Sequence, residues 1–246
     1  MKRKALNKKT RQVAFFALAF CLGVFLTSFT QQKIIKKRVE VFTNPTLDYG
    51  NFSLTYDSKN KIPIWTHEHL TNSSLLKKTS RNNLYFSQDP QIYSLQRSSI
   101  TDYQKSGYDR GHMASAANHQ SSIESLKNTF YLTNICPQHA NLNRGLWASL
   151  ERSVRSYVTE EEEIDVITGP LFLPYQEGNQ RYIYYPLIGD NGVAVPTHFF
   201  KLIVTRKETL AYIIPNQNLS EQASLETYKT SVEALEKVSG LQFKMK

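Results

Sequence analysis

Four consecutive residues, Asp109, Arg110, Gly111 and His112, set a carboxylate, a guanidinium, a backbone-permissive glycine and an imidazole side by side. A structural loop has little use for that set. Phosphodiester hydrolysis does: it needs a base to deprotonate water, a cation against the phosphate, and charge compensation at the departing oxygen. His112 takes the part of general base, since an imidazole with an ordinary pKa of about 6.5 accepts protons near neutral pH. Arg110 takes the part of a phosphate contact, because a planar guanidinium grips two oxygens at once. Asp109 is read as orienting its neighbours.

The second group begins 31 residues after His112, at Asn143, in the run Asn143-Arg144-Gly145-Leu146-Trp147-Ala148-Ser149-Leu150-Glu151. Its apolar spacing predicts a helix over residues 143–160. At about 100° per residue, Asn143, Trp147, Glu151 and Arg155 fall on one side of that helix. The Asn143 amide oxygen is hard and uncharged. It suits a divalent ion that keeps a largely aqueous shell, hence Mg²⁺ with Mn²⁺ as substitute, and not zinc. Glu151 is read as a holder of metal-bound waters and Arg155 as a second phosphate contact. The plainer alternative is a surface ion pair between Glu151 and Arg155, worth a few tenths of a kcal/mol.

These two groups resemble the DNA/RNA non-specific endonucleases of the ββα-metal type, the mitochondrial members in particular. The likeness extends through Phe130-Tyr131-Leu132-Thr133-Asn134-Ile135-Cys136-Pro137-Gln138, Thr168-Gly169-Pro170-Leu171 and Val195-Pro196-Thr197-His198-Phe199-Phe200-Lys201. The resemblance implies an α+β, ββα-metal nuclease fold with a central, largely antiparallel β-sheet flanked by helices. It implies cleavage of DNA and RNA by a one-ion arrangement that leaves 5′-phosphate ends, and a homodimer as a common assembly. By the same analogy Asn134 lines the site, with a strand-end structural amide as the alternative. Arg81 contacts substrate phosphate, with a solvated surface arginine as the alternative. Where family members carry Phe-Arg-Glu-Asp, this chain has Phe86-Ser87-Gln88-Asp89. None of these groups reads bases, so no sequence specificity is expected. The rival reading is a catalytically silent nucleic-acid-binding or scaffold protein on the same fold.

The elements that must position these side chains follow from pattern. Residues 51–70 alternate around a polar turn and predict a β-hairpin. Its end, His67-Glu68-His69, reads as an exposed polar strand end rather than a metal site. Residues 70–104 read as irregular. Ser121 or Ser122 caps a short helix over residues 123–128, and residues 130–135 read as a strand. Further strands are expected over 164–168, 182–188, 194–205 and 210–215. A terminal helix is expected over 221–239, closed by Gly240. His198 reads as a structural histidine, and Cys136 as a buried small residue.

The net charge of +9 invites a nucleic-acid reading, but its placement qualifies it. The first 38 residues carry ten Lys or Arg and no acid, which leaves the rest at −1. Any phosphate-binding surface is therefore a local patch. Residues 13–30 are uncharged and apolar or small; at about 1.5 Å per residue they span about 27 Å, near a bilayer's hydrocarbon thickness. With basic flanks, they read as an uncleaved signal-anchor, a cleaved signal peptide being the alternative. The expected layout is thus 1–30 basic terminus and membrane segment, 31–50 linker, 51–246 endonuclease domain. The body would face the non-cytoplasmic side: periplasm or exterior in a bacterium, the mitochondrial intermembrane space in a eukaryote.

Overall fold

A computed structural model describes residues 44–220 and 222–244. The segment 13–30 lies outside them, and among the described residues no helix is long and apolar enough to cross a membrane. The strands are β1 (Thr46–Asp48), β2 (Ser53–Asp57), β3 (Ile62–Thr71), β4 (Asp109–His112), β5 (Ile135–Gln138), β6 (Glu163–Leu171) and β7 (Tyr175–Glu177). They continue with β8 (Gln180–Tyr182), β9 (Leu187–Ile188), β10 (Val193–Ala194), β11 (His198–Val204), β12 (Thr209–Pro215) and β13 (Lys229–Thr230). Four α-helical stretches matter here: α1 (Ile100–Tyr103), α2 (Ile123–Asn128), α3 (Ala148–Glu161) and α4 (Val232–Ser239).

Seven strands form one antiparallel sheet in the order β1-β2-β3-β6-β11-β12-β13. Side chains alternate across it, so each strand serves two layers. On one face Ile62, Leu70, Val166, Phe199 and Ile203 meet Trp147, Leu150, Val154 and Val158. The i, i+4 spacing of Leu150, Val154 and Val158 lays one stripe of α3 on the sheet. Burying each of those side chains contributes about 1.5–3 kcal/mol. On the other face Phe200, Leu202 and Ala211 pack with Leu235 of α4. The tetrapeptide Asp109–His112 lies off this sheet, on the separate two-stranded hairpin β4–β5.

The expected α+β architecture with a large antiparallel sheet is what the chain forms, and several elements match closely. Ser122 caps α2 by accepting from the Ser125 amide at 3.0 Å, and Gly240 closes α4 at φ 71°. Other elements differ. β1 adds an edge strand inside the stretch read as linker. Residues 130–135 are mostly not strand: Leu132–Asn134 is a 3₁₀ turn, closed by the Asn134 amide on Tyr131 O at 2.9 Å, and β5 starts only at Ile135. The run 182–188 breaks around Pro186, whose carbonyl instead accepts from Val195. Pro196 lies in the break between β10 and β11. The terminal helix is shorter than expected. Ser224 caps a 3₁₀ turn (Leu225–Tyr228), the chain extends into β13, and Ser231 then caps α4 anew.

The strand end His67-Glu68-His69 is also corrected. Glu68 is fully buried. The pleat turns it inward with Thr66 and Leu70, while His67 and His69 face outward and share Asp165 Oδ1 at 2.8 and 3.2 Å.

Candidate active site

The hairpin β4–β5 pairs Asp109 with Gln138, Gly111 with Cys136 and His112 with Ile135. Its closeness depends on Gly111. That glycine does not have a positive φ, so the sequence reading of it as backbone freedom is replaced by one of space. A Cβ there would lie 2.2 Å from Gln138 Oε1 and 2.7 Å from Gln138 Cβ. Beyond His112 the chain is tied down by Asn134. Its Oδ1 accepts from the Ala114 amide at 2.8 Å, and its Nδ2 donates to Ala114 O and Thr129 O at 2.9 and 3.0 Å. Asn134 is fully buried, and its amide is committed to backbone. It therefore falls on the structural side of the two readings, and it is not among the residues lining the cavity.

A cavity of about 310 Å³ is lined by Arg81, Asp109, Arg110, His112, Asn143 and Glu151. Five predicted site residues, from three separate stretches, thus share one space. Arg155 does not line it; its Nη1 donates to Asn118 Oδ1 at 3.3 Å, and burial lowers its pKa. The helical wheel gave the direction of Arg155 but not its height: it stands one turn, about 6 Å, beyond Glu151 along α3 and is tied to Asn118. Asn143–Trp147 forms a π-turn, and α3 begins only at Ala148. The wider turn breaks the 100° spacing at the point where Asn143 is presented. Such turns recur at functional sites. A larger cavity, about 560 Å³ and lined by Trp65, Ile167, Leu202 and Phe243, holds none of these groups.

Phe86 is the site residue that the motif reading missed. It lines the cavity, and its ring lies 5.3 Å from the His112 ring and beneath the Arg110 guanidinium at 4.8 Å. Phe130 meets His112 edge-on at 5.3 Å and carries Arg81 at 5.7 Å. The two arginines are thus held on aromatic faces beside the imidazole. His112 Nε2 is buried with no hydrogen-bond partner, which leaves Nδ1 as the nitrogen able to meet solvent. Burial, then the charges of Arg81 and Arg110, push the His112 pKa down to about 3. The ring is neutral at physiological pH.

Asp109 is bound from two sides. Arg144 donates from Nε and Nη2 at 2.8 and 2.7 Å, and Asn143 Nδ2 donates at 2.9 Å. The Arg144 bonds, aided by Asn143, hold its carboxyl below the usual range. Because Nδ2 faces Asp109, the Asn143 carbonyl oxygen is turned away from it and has no protein partner among the described residues. Burial raises the pKa of Glu151 nearby. One amide oxygen with one carboxylate close by fits a hard, largely hydrated cation. Among the described residues no cluster of three or more His, Cys, Asp or Glu is arranged to hold an ion, as a zinc site would require.

Residues 30–246 match the DNA/RNA non-specific endonuclease family. The chain belongs to that family. It is a nuclease, in keeping with its curated relatives. It is 38% identical over 200 residues to endonuclease G of Bos taurus, a mitochondrial protein, covering 79% of this chain and 67% of that one. It is 36% identical over 223 residues to the mitochondrial nuclease of Saccharomyces cerevisiae, covering 83% and 68%. The human mitochondrial nuclease EXOG is 35% identical over 204 residues, with 79% of this chain and 55% of that one covered. Among solved structures, EndoG in a complex with EndoGI described as its inhibited form aligns at TM-score 0.78 and 38% identity. That alignment covers 82% of this chain and 86% of that one.

Proposed function

We propose that the chain hydrolyses phosphodiester bonds in DNA and RNA without sequence preference, with His112 as general base and Asn143 as the protein ligand of one Mg²⁺. The observation that carries this reading is the meeting of His112 and Asn143 in one cavity, beside two arginines and a carboxylate. His112 accepts the proton of the attacking water at Nδ1. It is kept neutral and ready for that by burial and by its cationic neighbours. Arg81 and Arg110 hold phosphate oxygens, positioned by Phe130 and Phe86. Asp109 holds the Nδ2 of Asn143, which leaves the amide oxygen as the atom that would take the ion. Glu151 orients the ion's waters. Mg²⁺, or Mn²⁺ in its place, supplies the positive charge that stabilises the departing 3′ oxygen. The product is a 5′-phosphate end. Arg155 and Asn134 act at one remove, through the packing of α3 and of the β4–β5 hairpin.

The proposal extends to layout and place. The folded body is the catalytic unit, preceded by a linker and the 13–30 membrane or signal segment. In a eukaryotic source it resides in the mitochondrion, in keeping with the relatives' names, and on the intermembrane-space side if the basic flank before residue 13 sets the orientation.

The test is a plasmid-nicking and RNA-cleavage assay on the purified chain, with Mg²⁺ and with EDTA, followed by ligation of the products. Cleavage of both substrates, stopped by EDTA and leaving ends that ligate without prior phosphorylation, is expected. Nicking that survives EDTA, or ends that need a kinase before ligation, would overturn it.

A further inference from the structure

Arg144 follows Asn143 in the π-turn, and the two residues clamp one carboxylate. Asp109 Oδ2 accepts from Asn143 Nδ2 at 2.9 Å and from Arg144 Nε at 2.8 Å, while Oδ1 accepts from Arg144 Nη2 at 2.7 Å. The carboxylate is 20% exposed and the guanidinium 73%. A guanidinium carries five N–H donors in a fixed plane. Nε and one N–H of Nη2 are spent on Asp109, and the Nη1 edge has no partner among the described residues. Stability does not account for this arrangement. An exposed ion pair contributes little and costs the freedom of a long side chain, and Asp109 already has Asn143. Position accounts for it better. Side chains alternate along β4, so Asp109 leaves the strand on the face opposite Arg110 and His112. Asp109 and Asn143 line the cavity; Arg144, bonded to Asp109 from outside that lining, stands at its rim.

We propose that Arg144 is a substrate-binding residue: its open Nη1 edge takes an oxygen of a backbone phosphate next to the scissile one, on the side of the cavity away from Arg81 and Arg110. The inference rests on the site proposed above. Arg81 and Arg110 sit on Phe130 and Phe86, around the His112 ring, where the scissile phosphate would lie. A strand that continues past that point meets the opposite rim, and Arg144 is the cation there. Asp109 holds the guanidinium plane beforehand, so little side-chain freedom is lost when the phosphate arrives. The need for such a residue follows from the charge balance. Residues after 38 sum to −1, so the path of the strand must be marked by individual cations and not by a general field. A phosphate contact carries no base information, so DNA and RNA are held alike.

The test is binding without catalysis: fluorescence anisotropy of a short labelled DNA duplex, in EDTA, across a series of NaCl concentrations. Arg144→Gln should weaken binding about three- to tenfold at low salt. The slope of log K against log salt should become shallower by about 0.9, the share of one phosphate contact. Arg144 could instead serve only to cancel the charge of Asp109, and its loss would then expose a carboxylate that repels the strand. The double variant Asp109→Asn with Arg144→Gln separates the two, because it has the same net charge as the wild type at this rim. Under the proposal the double variant stays weak and keeps the shallower slope. A double variant that regains wild-type affinity and slope overturns the proposal, and so does an Arg144→Gln titration that superimposes on the wild type. Wild-type protein that binds the duplex yet fails to cleave it once Mg²⁺ is restored refutes the active-site reading instead.

Discussion

Gly111→Ala tests whether the β4–β5 hairpin is as tight as it must be to aim His112. The backbone at Gly111 lies in a region that alanine adopts, so the cost is steric alone. The new methyl would sit 2.2 Å from Gln138 Oε1, 2.9 Å from Cδ and 2.7 Å from Cβ. The amide could swing aside, but Cβ is fixed to the strand, so β5 itself must move. Overpacking of this kind costs about 1–3 kcal/mol. For a domain of this size each kcal/mol lowers Tm by about 2–4 °C, giving a fall of about 2–12 °C. The rate should suffer more than the stability. His112 follows Gly111 directly, and a displacement of about 1 Å at a reacting group costs on the order of 100-fold. Thermal melts and Mg²⁺-dependent nicking measure the two effects. A cycle with Gln138→Ala and Gln138→Gly identifies the cause. The alanine removes the Oε1 and Cδ contacts and rescues in part; the glycine removes all three and rescues further, with a coupling of about 0.5–3 kcal/mol. If Gly111→Ala melts and cleaves like wild type, or if the pairs prove additive, the close-packing account is wrong.

His112→Ala should lower kcat by about 10²–10⁴-fold, the span of general-base catalysis. DNA binding in EDTA, read by fluorescence anisotropy, should stay unchanged because Arg81 and Arg110 remain. The low pKa of His112 also gives stability a pH slope. The folded value of about 3 lies below the unfolded value of about 6.5, so the unfolded chain binds the extra proton between them. That stability is present above the unfolded value and is lost as pH falls toward the folded one. Urea midpoints at pH 4 and pH 7 should therefore differ less for His112→Phe than for wild type, and an equal difference refutes the assignment. Asp109→Asn removes the clamp on Asn143 and Arg144, and should raise the Mg²⁺ concentration for half-activation about 10- to 100-fold. A metal titration that superimposes on wild type would rule that role out.

The parts of the fold governed by short-range signals were legible in the sequence. The capping serine of α2, the β2–β3 hairpin and the left-handed glycine after α4 each depend on a few neighbouring residues. So were Asp109, His112, Asn143 and Glu151, because their side-chain types have little other reason to occur together. What escaped the sequence depended on partners distant in the chain. The burial of Glu68 reflects the register of β3 on β6, which seats it under Asn118 and His119, about fifty residues later. Asn134 is committed to Ala114 and Thr129, and that follows only from how the strand after His112 lies. The π-turn at Asn143 has no sequence mark at all, since its residues read as ordinary helix.

The arginines and the imidazole are linked by more than proximity. In the proposed reaction Arg81 and Arg110 hold the phosphate, and the same charges, after burial, depress the basicity of His112. In the free enzyme this keeps the ring neutral, yet it also makes the ring a weak base. A phosphodiester arriving against the guanidiniums carries a negative charge that offsets theirs. The part of the shift due to the arginines is then relieved, and His112 gains basicity when a substrate is present to use it; the part due to burial stays. The acidic limb of kcat, which reports the bound enzyme, should therefore lie at higher pH than the limb of kcat/KM, which reports the free enzyme. In an Arg81→Gln variant one of the two charges is already absent, and the gap between the limbs should narrow. Coincident limbs in the wild type would mean that phosphate and imidazole do not share those arginines.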